Sequence, residues 1–264
     1  MIKMSISNIA WLPENDEEMY SFMNHLEYSG LEIAPTRIFP EKPYNKIIEA
    51  KKFKKNLKEK YNLEISSMQS ILYGINEKIF STPDERVKIL NYIKSSILFA
   101  DAIGSKNLVF GSPKNRITNN EKDYEVGIEF FKTLGEYAVS NNTILSIEPN
   151  PVIYGTNYIN TTQEAIELVK DVNSQGFKVN FDFGTFLYNK ELLSIVKDNI
   201  ELINHIHISE PYLKNIEKRS EHKELIDFLK VTSFKNYISI EMSKCDDIEI
   251  VKRTMIYLKE ILND

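Results

Sequence analysis

SIEPN (residues 146–150), NFDFG (180–184), HIHISE (205–210) and SIEMS (239–243) decide how this chain is read. Each is a short apolar or β-branched run carrying a group that binds a hard cation: Glu148, Asp182, His207 and Glu241. The gaps between those four, 34, 25 and 34 residues (148 to 182, 182 to 207, 207 to 241), each have room for one strand and one helix. In a closed barrel of parallel strands, residues at the carboxyl ends of neighbouring strands converge on one rim, and the loops of that rim carry the chemistry. Three carboxylates and an imidazole gathered there make an oxygen-rich pocket suited to Mn²⁺ or Mg²⁺, with Co²⁺ or Zn²⁺ compatible.

Outward from these segments the same alternation continues. Strand candidates lie at 4–9, 31–34, 63–68, 107–110, 144–147, 178–181, 203–208 and 237–240. Between them the apolar spacing changes to three and four, as in Met19, Phe22, Met23 and Leu26, or Ile89, Leu90, Ile93 and Ile97. That spacing gives each helix one stripe to lay on a sheet. Thr82, Pro83, Asp84 and Glu85 combine an N-cap, a first-turn proline and a capping-box glutamate, Gly104 stands where a helix C-terminus wants a left-handed residue, and Thr161 with Glu164 repeats the capping box. Strand and helix repeated eight times predict an α/β fold, a single (β/α)8 TIM barrel of parallel strands over 1–264, as one domain. An open doubly wound sheet is the alternative. The absence of GxGxxG or GxxxxGK after any strand weighs against it.

Length and composition agree. A chain of 264 residues, 42% hydrophobic, has the size of one such barrel. A net charge of −5 gives no basic field for nucleic acid. One cysteine, Cys245, excludes an internal disulfide; it is read as a small buried hydrophobe, and a reducing cytoplasm is the expected location. The amino terminus reaches acidic residues before any long apolar run, and no later stretch has eighteen apolar residues, so neither secretion nor membrane insertion is expected.

An isolated glutamate is ordinarily a solvated surface group. Glu148 and Glu241 instead follow apolar runs with strand parity, so both carboxylates are expected at the rim, on strands three positions apart. Two carboxylates facing a substrate from different sides suit proton transfer at carbon. One removes a proton beside a carbonyl, a divalent cation offsets the enediolate charge, and the other returns a proton to the opposite face. For Asp182, a turn-forming aspartate before Gly184 is the competing reading. His205 and His207 share a parity, with His207 expected at the rim and His205 a layer deeper.

SIEPN, NFDFG, HIHISE and SIEMS in this order, with the opening SISNIAW and GLEIAP, resemble the xylose-isomerase-like TIM-barrel superfamily of sugar (phosphate) isomerases and epimerases over nearly the whole chain. The resemblance to its ketose 3-epimerases implies that Glu148, Asp182, His207 and Glu241 bind one divalent metal, with Glu148 and Glu241 doubling as catalytic acid and base. Two positions differ from those epimerases: Thr185 stands where they usually have a histidine, and Tyr154 where they tend to have a glutamate.

Loops after strands add substrate-binding candidates. FGSPKNR places Lys114 and Arg116, and APTR places Arg37, near the expected active face, where cations would hold a phosphate or carboxylate. Glu210 and Lys214 follow His207; Trp11 and Tyr154 offer aromatic faces for a sugar or for packing. The expected function is a metal-dependent isomerase or epimerase of a sugar or sugar phosphate, acting on a small, possibly anionic carbohydrate. The alternatives are an inosose-type dehydratase and a non-catalytic sugar-binding barrel. An apurinic-site endonuclease, which occurs in the same superfamily, needs a histidine-rich set for three zinc ions that His25, His205, His207 and His222 do not supply. A homodimer is expected by analogy alone.

Overall fold

The computed structural model describes residues 2–264. Its strands are β1 (Lys3–Ser7), β2 (Gly30–Ile33), β3 (Glu64–Met68), β4 (Leu108–Phe110), β5 (Leu145–Ile147), β6 (Phe177–Asp182), β7 (Ile203–Ile208) and β8 (Tyr237–Ile240). They pair in sequence order, every pair parallel, and β8 pairs with β1. The barrel is therefore closed, as the alternation of strand and helix predicts. The helices are α1 (Asp16–His25), α2 (Pro35–Ile38), α3 (Ile47–Tyr61), α4 (Pro83–Ile103), α5 (Asp123–Ser140), α6 (Thr162–Val172), α7 (Phe183–Asn189), α8 (Ser194–Lys197), α9 (Ser220–Lys230) and α10 (Ile248–Asn263). Two of them, the single-turn α2 and α8, interrupt a simple eightfold repeat. Among the described residues no helix is long and apolar enough to cross a membrane.

The hydrophobic core lies between barrel and helices. Alternate residues such as Ile6, Phe110, Ile147, Phe181, Ile206 and Ile240 are fully buried; Phe110 meets Phe131 of α5 at a ring separation of 5.1 Å, and Phe131 stacks on Phe177 at 4.8 Å. The stripes of α1 and α4 are used as their spacing predicts, with Met19, Met23, Ile89, Ile93 and Ile97 all at 0% exposure. The barrel interior is different. Bulky branched side chains usually fill it, whereas here Ser5 bonds Ser66 at 2.6 Å, and Asn107 donates to Ser67 at 2.9 Å while accepting from Ser146 and Asn204 at 2.6 and 2.7 Å. Small hydroxyl and amide groups satisfy one another across the strands, as burial demands.

Some local expectations change. The first strand stops at Ser7 rather than residue 9, because the Ser7 hydroxyl caps a short turn over Asn8–Ala10 and Asn8 accepts from the Ala34 amide at 2.9 Å. The Thr161–Glu164 capping box is complete. At α4 the Thr82 hydroxyl accepts from Glu85 N at 3.2 Å, but the Glu85 carboxylate turns back to Lys78 N and Ser81, so the reciprocal half of that box is absent.

Gly176 marks the closest approach of α5 to the sheet. A Cβ there would lie 2.0 Å from the Gly135 carbonyl oxygen, a backbone atom with no room to yield. Gly176→Ala is expected to cost about 3 kcal/mol, read from urea denaturation midpoints at unchanged m-value.

His222 on α9 is wedged against Phe183 and hydrogen-bonds the Tyr257 hydroxyl at 3.1 Å, and burial pushes its pKa down to about 4. The unfolded chain takes up this proton near pH 6.5 and the folded chain only near pH 4. Folding is thus destabilised as pH falls through that interval, by up to about 3 kcal/mol below it, and is unaffected above it. Urea midpoints measured from pH 7 to pH 4 for the wild-type protein and His222→Phe should diverge, with the variant losing less stability.

Candidate metal centre

Glu148 lies one residue past β5, Asp182 ends β6, His207 lies on β7 and Glu241 lies one residue past β8. Parity turns all four inward at the carboxyl-end rim. One ligand atom of each lies within 4.8 Å of all the others, and all four residues are buried. The sequence segments therefore meet at one place. Glu148 Oε1 is 2.8 Å from His207 Nδ1 and accepts from Asn180 Nδ2 at 2.8 Å; Glu241 Oε2 lies 3.2 Å from the same Nδ1. Asn150 Nδ2 donates to Glu148 Oε2 at 3.2 Å. Gly111 permits this arrangement, since a Cβ there would sit 2.6 Å from Glu148 Oε2.

Beneath the rim is a carboxylate that the sequence reading did not single out. Glu32 of β2, 0% exposed, places Oε2 at 3.1 Å from His207 Nε2 and 3.0 Å from His205 Nε2. The His205 contact is misaligned for a hydrogen bond. The Glu32 partner assigns the Nε2 proton of His207 and turns Nδ1 toward the three rim carboxylates, the arrangement by which a buried acid orients a metal-binding imidazole. Burial alone would raise the Glu32 pKa, but His207 and His205 outweigh it and hold the carboxyl far below its usual range. Burial likewise opposes protonation of His207, yet Glu32, Glu241 and Glu148 raise its pKa well above that of free imidazole.

Asp182 also caps α7. Its Oδ1 accepts from Thr185 N at 2.6 Å and Thr185 Oγ1 at 2.7 Å, and Ser209 Oγ donates to Oδ2. Thr185 is thus engaged under the rim. Burial and the nearby Glu148 carboxylate push the Asp182 carboxyl up to about 6, and burial raises that of Glu241. Three carboxylates this close, in a pocket that strips them of water, are short of positive charge. A divalent ion fits that deficit and the oxygen-rich donor set, and Glu148, Asp182, Glu241 and His207 Nδ1 are the groups that would hold it.

The cluster opens into a cavity of about 210 Å³ whose wall includes Glu148, Asp182, Glu241, Tyr154, Asn150 and Gln69. Among the substrate-binding candidates, Tyr154 lines it. The anion site expected from Arg37, Lys114 and Arg116 is not assembled. Arg37 is clamped to Asp16 at 2.7 Å. Lys114 is exposed on the loop after β4 and outside the wall. Arg116 is fully buried, its Nη2 donating to the Glu148 carbonyl and Asn150 Oδ1 at 2.7 Å each, with a pKa lowered by burial to about 10. Glu210 is likewise spent in a buried ion pair with Arg219 at 2.7 Å, and Lys214 lies over the Tyr212 ring, outside the wall. Trp11 is 1% exposed and lines a neighbouring cavity.

Asn180, Asn150 and Ser209 complete the polar shell and were not singled out by sequence. The one available signal was their place: Asn180 shares the parity of Asp182, and Asn150 and Ser209 each follow a candidate ligand by two residues. His25 and His222 sit on α1 and α9, outside the cluster.

The backbone superimposes on a 3-keto-D-glucoside 4-epimerase from E. coli with a TM-score of 0.80 at 18% identity, covering 98% of this chain and 100% of that one. It superimposes on a D-psicose 3-epimerase from Clostridium cellulolyticum H10, solved with D-tagatose, with 0.77 at 15% identity over 99% and 96%. An AP endonuclease of family 2 from Brucella melitensis gives 0.75 at 15% identity over 97% and 99%. At such identities the likeness is one of fold. None of the curated proteins matches the sequence. Residues 22–261 match the profile of the xylose isomerase-like TIM barrel, and the chain belongs to that family.

Proposed function

We propose that this protein is a divalent-metal-dependent sugar isomerase or epimerase that moves a proton at a carbon beside a carbonyl. The observation that carries the reading is the convergence of Glu148, Glu241, Asp182 and His207 in one cluster whose three carboxylates line one cavity. Similarity in fold to sugar epimerases supports it. When bound, a divalent ion, Mn²⁺ by preference, supplies positive charge that polarises a substrate carbonyl.

The residues have distinct tasks. Glu148 and Glu241 reach the cavity from β5 and β8, on different sides, so one carboxylate removes the proton and the other returns it. Burial raises the pKa of the Glu241 carboxyl. Asn180 and Asn150 hold Glu148 by both oxygens. Glu32 positions His207, and Tyr154 closes one wall. No lysine or arginine lines that wall.

In deuterated water with Mn²⁺ and a panel of ketohexoses, wild-type protein should exchange one carbon-bound proton for deuterium by NMR. Glu148→Gln and Glu241→Gln should each lower that rate by at least about 10²-fold. Unchanged exchange in both variants sinks the proposal.

Chelator-treated protein should take up one Mn²⁺ per chain by calorimetry, and Mn²⁺ at a hundred times its Kd should stabilise the fold by about 3 kcal/mol. Glu32→Gln should weaken Mn²⁺ binding by about 10- to 100-fold while the binding stoichiometry stays the same.

A further inference from the structure

The cavity over the cluster holds about 210 Å³, less than the ~300 Å³ at which sites for larger ligands begin; that is room for one small sugar. Its wall does not end there. Ile9 and Ser70 line both this cavity and a second one of about 360 Å³. Ser70 has a φ of 53°, a left-handed conformation that non-glycine residues rarely adopt and that gathers at ligand sites. On the opposite side the mouth is walled. Tyr212 N donates to the Tyr154 hydroxyl at 2.8 Å, fastening the loop after β7 to the loop after β5, and Leu213 adds to that wall. A ligand with its reacting carbons on the cluster therefore extends toward Ile9 and Ser70.

The second cavity has a fixed floor. Trp11 Nε1 donates to Asp16 Oδ1 at 2.8 Å, and Arg37 grips the same carboxylate while its guanidinium lies 5.9 Å from the Trp11 ring centroid. The Arg37 charge is thus neutralised. Tyr73, 72% exposed, stands at its edge, and Lys244 is exposed and outside any ion pair among the described residues. The exposed Tyr73 ring suits the C–H face of a sugar ring, and a free ammonium donates to its hydroxyls.

We infer that the substrate is a keto-sugar carrying a second glycosyl ring, which lies in this adjoining cavity against Trp11 and Tyr73. The inference rests on the isomerase or epimerase reading of the cluster and names its substrate class. Calorimetric binding to Mn²⁺-loaded protein would compare fructose with maltulose and isomaltulose, which add a glucosyl ring at O4 and O6 of the same ketose. At least one disaccharide should bind about tenfold tighter than fructose. Thr36 also lines the adjoining cavity, so Thr36→Trp would fill it; that variant and Tyr73→Ala should each remove the preference without altering fructose binding. Equal affinities for one and two rings, or a preference that survives both variants, overturn the two-ring substrate while fructose binding leaves the epimerase reading in place. If none of the three sugars binds, that reading falls and the inference with it.

Discussion

The structure turns on one imidazole set among four carboxylates. His207 meets Glu32 through Nε2 and Glu148 and Glu241 through Nδ1, at 3.1, 2.8 and 3.2 Å. No such cluster is stable in an apolar interior without positive charge to balance it and hydrogen bonds to fix it. The surroundings follow from that requirement. Asn180 and Asn150 donate to Glu148, Thr185 and Ser209 donate to Asp182, and buried Arg116 holds the Glu148 carbonyl. The amide and hydroxyl groups inside the barrel continue this polar column downward, and the Ser239 hydroxyl donates to Glu32 at 3.4 Å.

The same constraint explains why the helices carry the stability. With a polar barrel interior, apolar burial is concentrated in the shell between strands and helices, where Phe110, Phe131 and Phe177 interlock and α5 comes close enough to require Gly176. Fold and site are in this way nearly separable. The outward faces of the strands hold the barrel, and the inward faces are free to carry charge.

That division also sets what could be read in the sequence. The outward faces and the helices share periodic apolar patterns, so eight strands and the barrel were legible, and segments such as SIEPN and SIEMS showed their carboxylates because each breaks an apolar run at its end. Glu32 was not legible: it lies inside GLEI, between two apolar residues, and its partners His205 and His207 are more than 170 positions away. The partners of the cations were hidden as well. Arg37 and Arg116 stand in loops that do reach the active rim, but their pairing with Asp16 and with the Glu148 carbonyl depends on contacts across 21 and 32 positions that no local pattern reveals.

Loss of those cations from the cavity wall changes the chemistry the rim can select for. On the proposed reading the three carboxylates hold the cation, and no guanidinium is left free at the wall to grip a phosphate. Selectivity must then come from shape. Tyr154 tied to Tyr212 closes one side, Gly111 leaves Glu148 its place, and Ile9 and Ser70 form the edge shared with the adjoining cavity. The proposed enzyme would distinguish its substrates by the part that does not react, because binding at a remote ring would hold the reacting carbons between Glu148 and Glu241 in the geometry proton transfer needs.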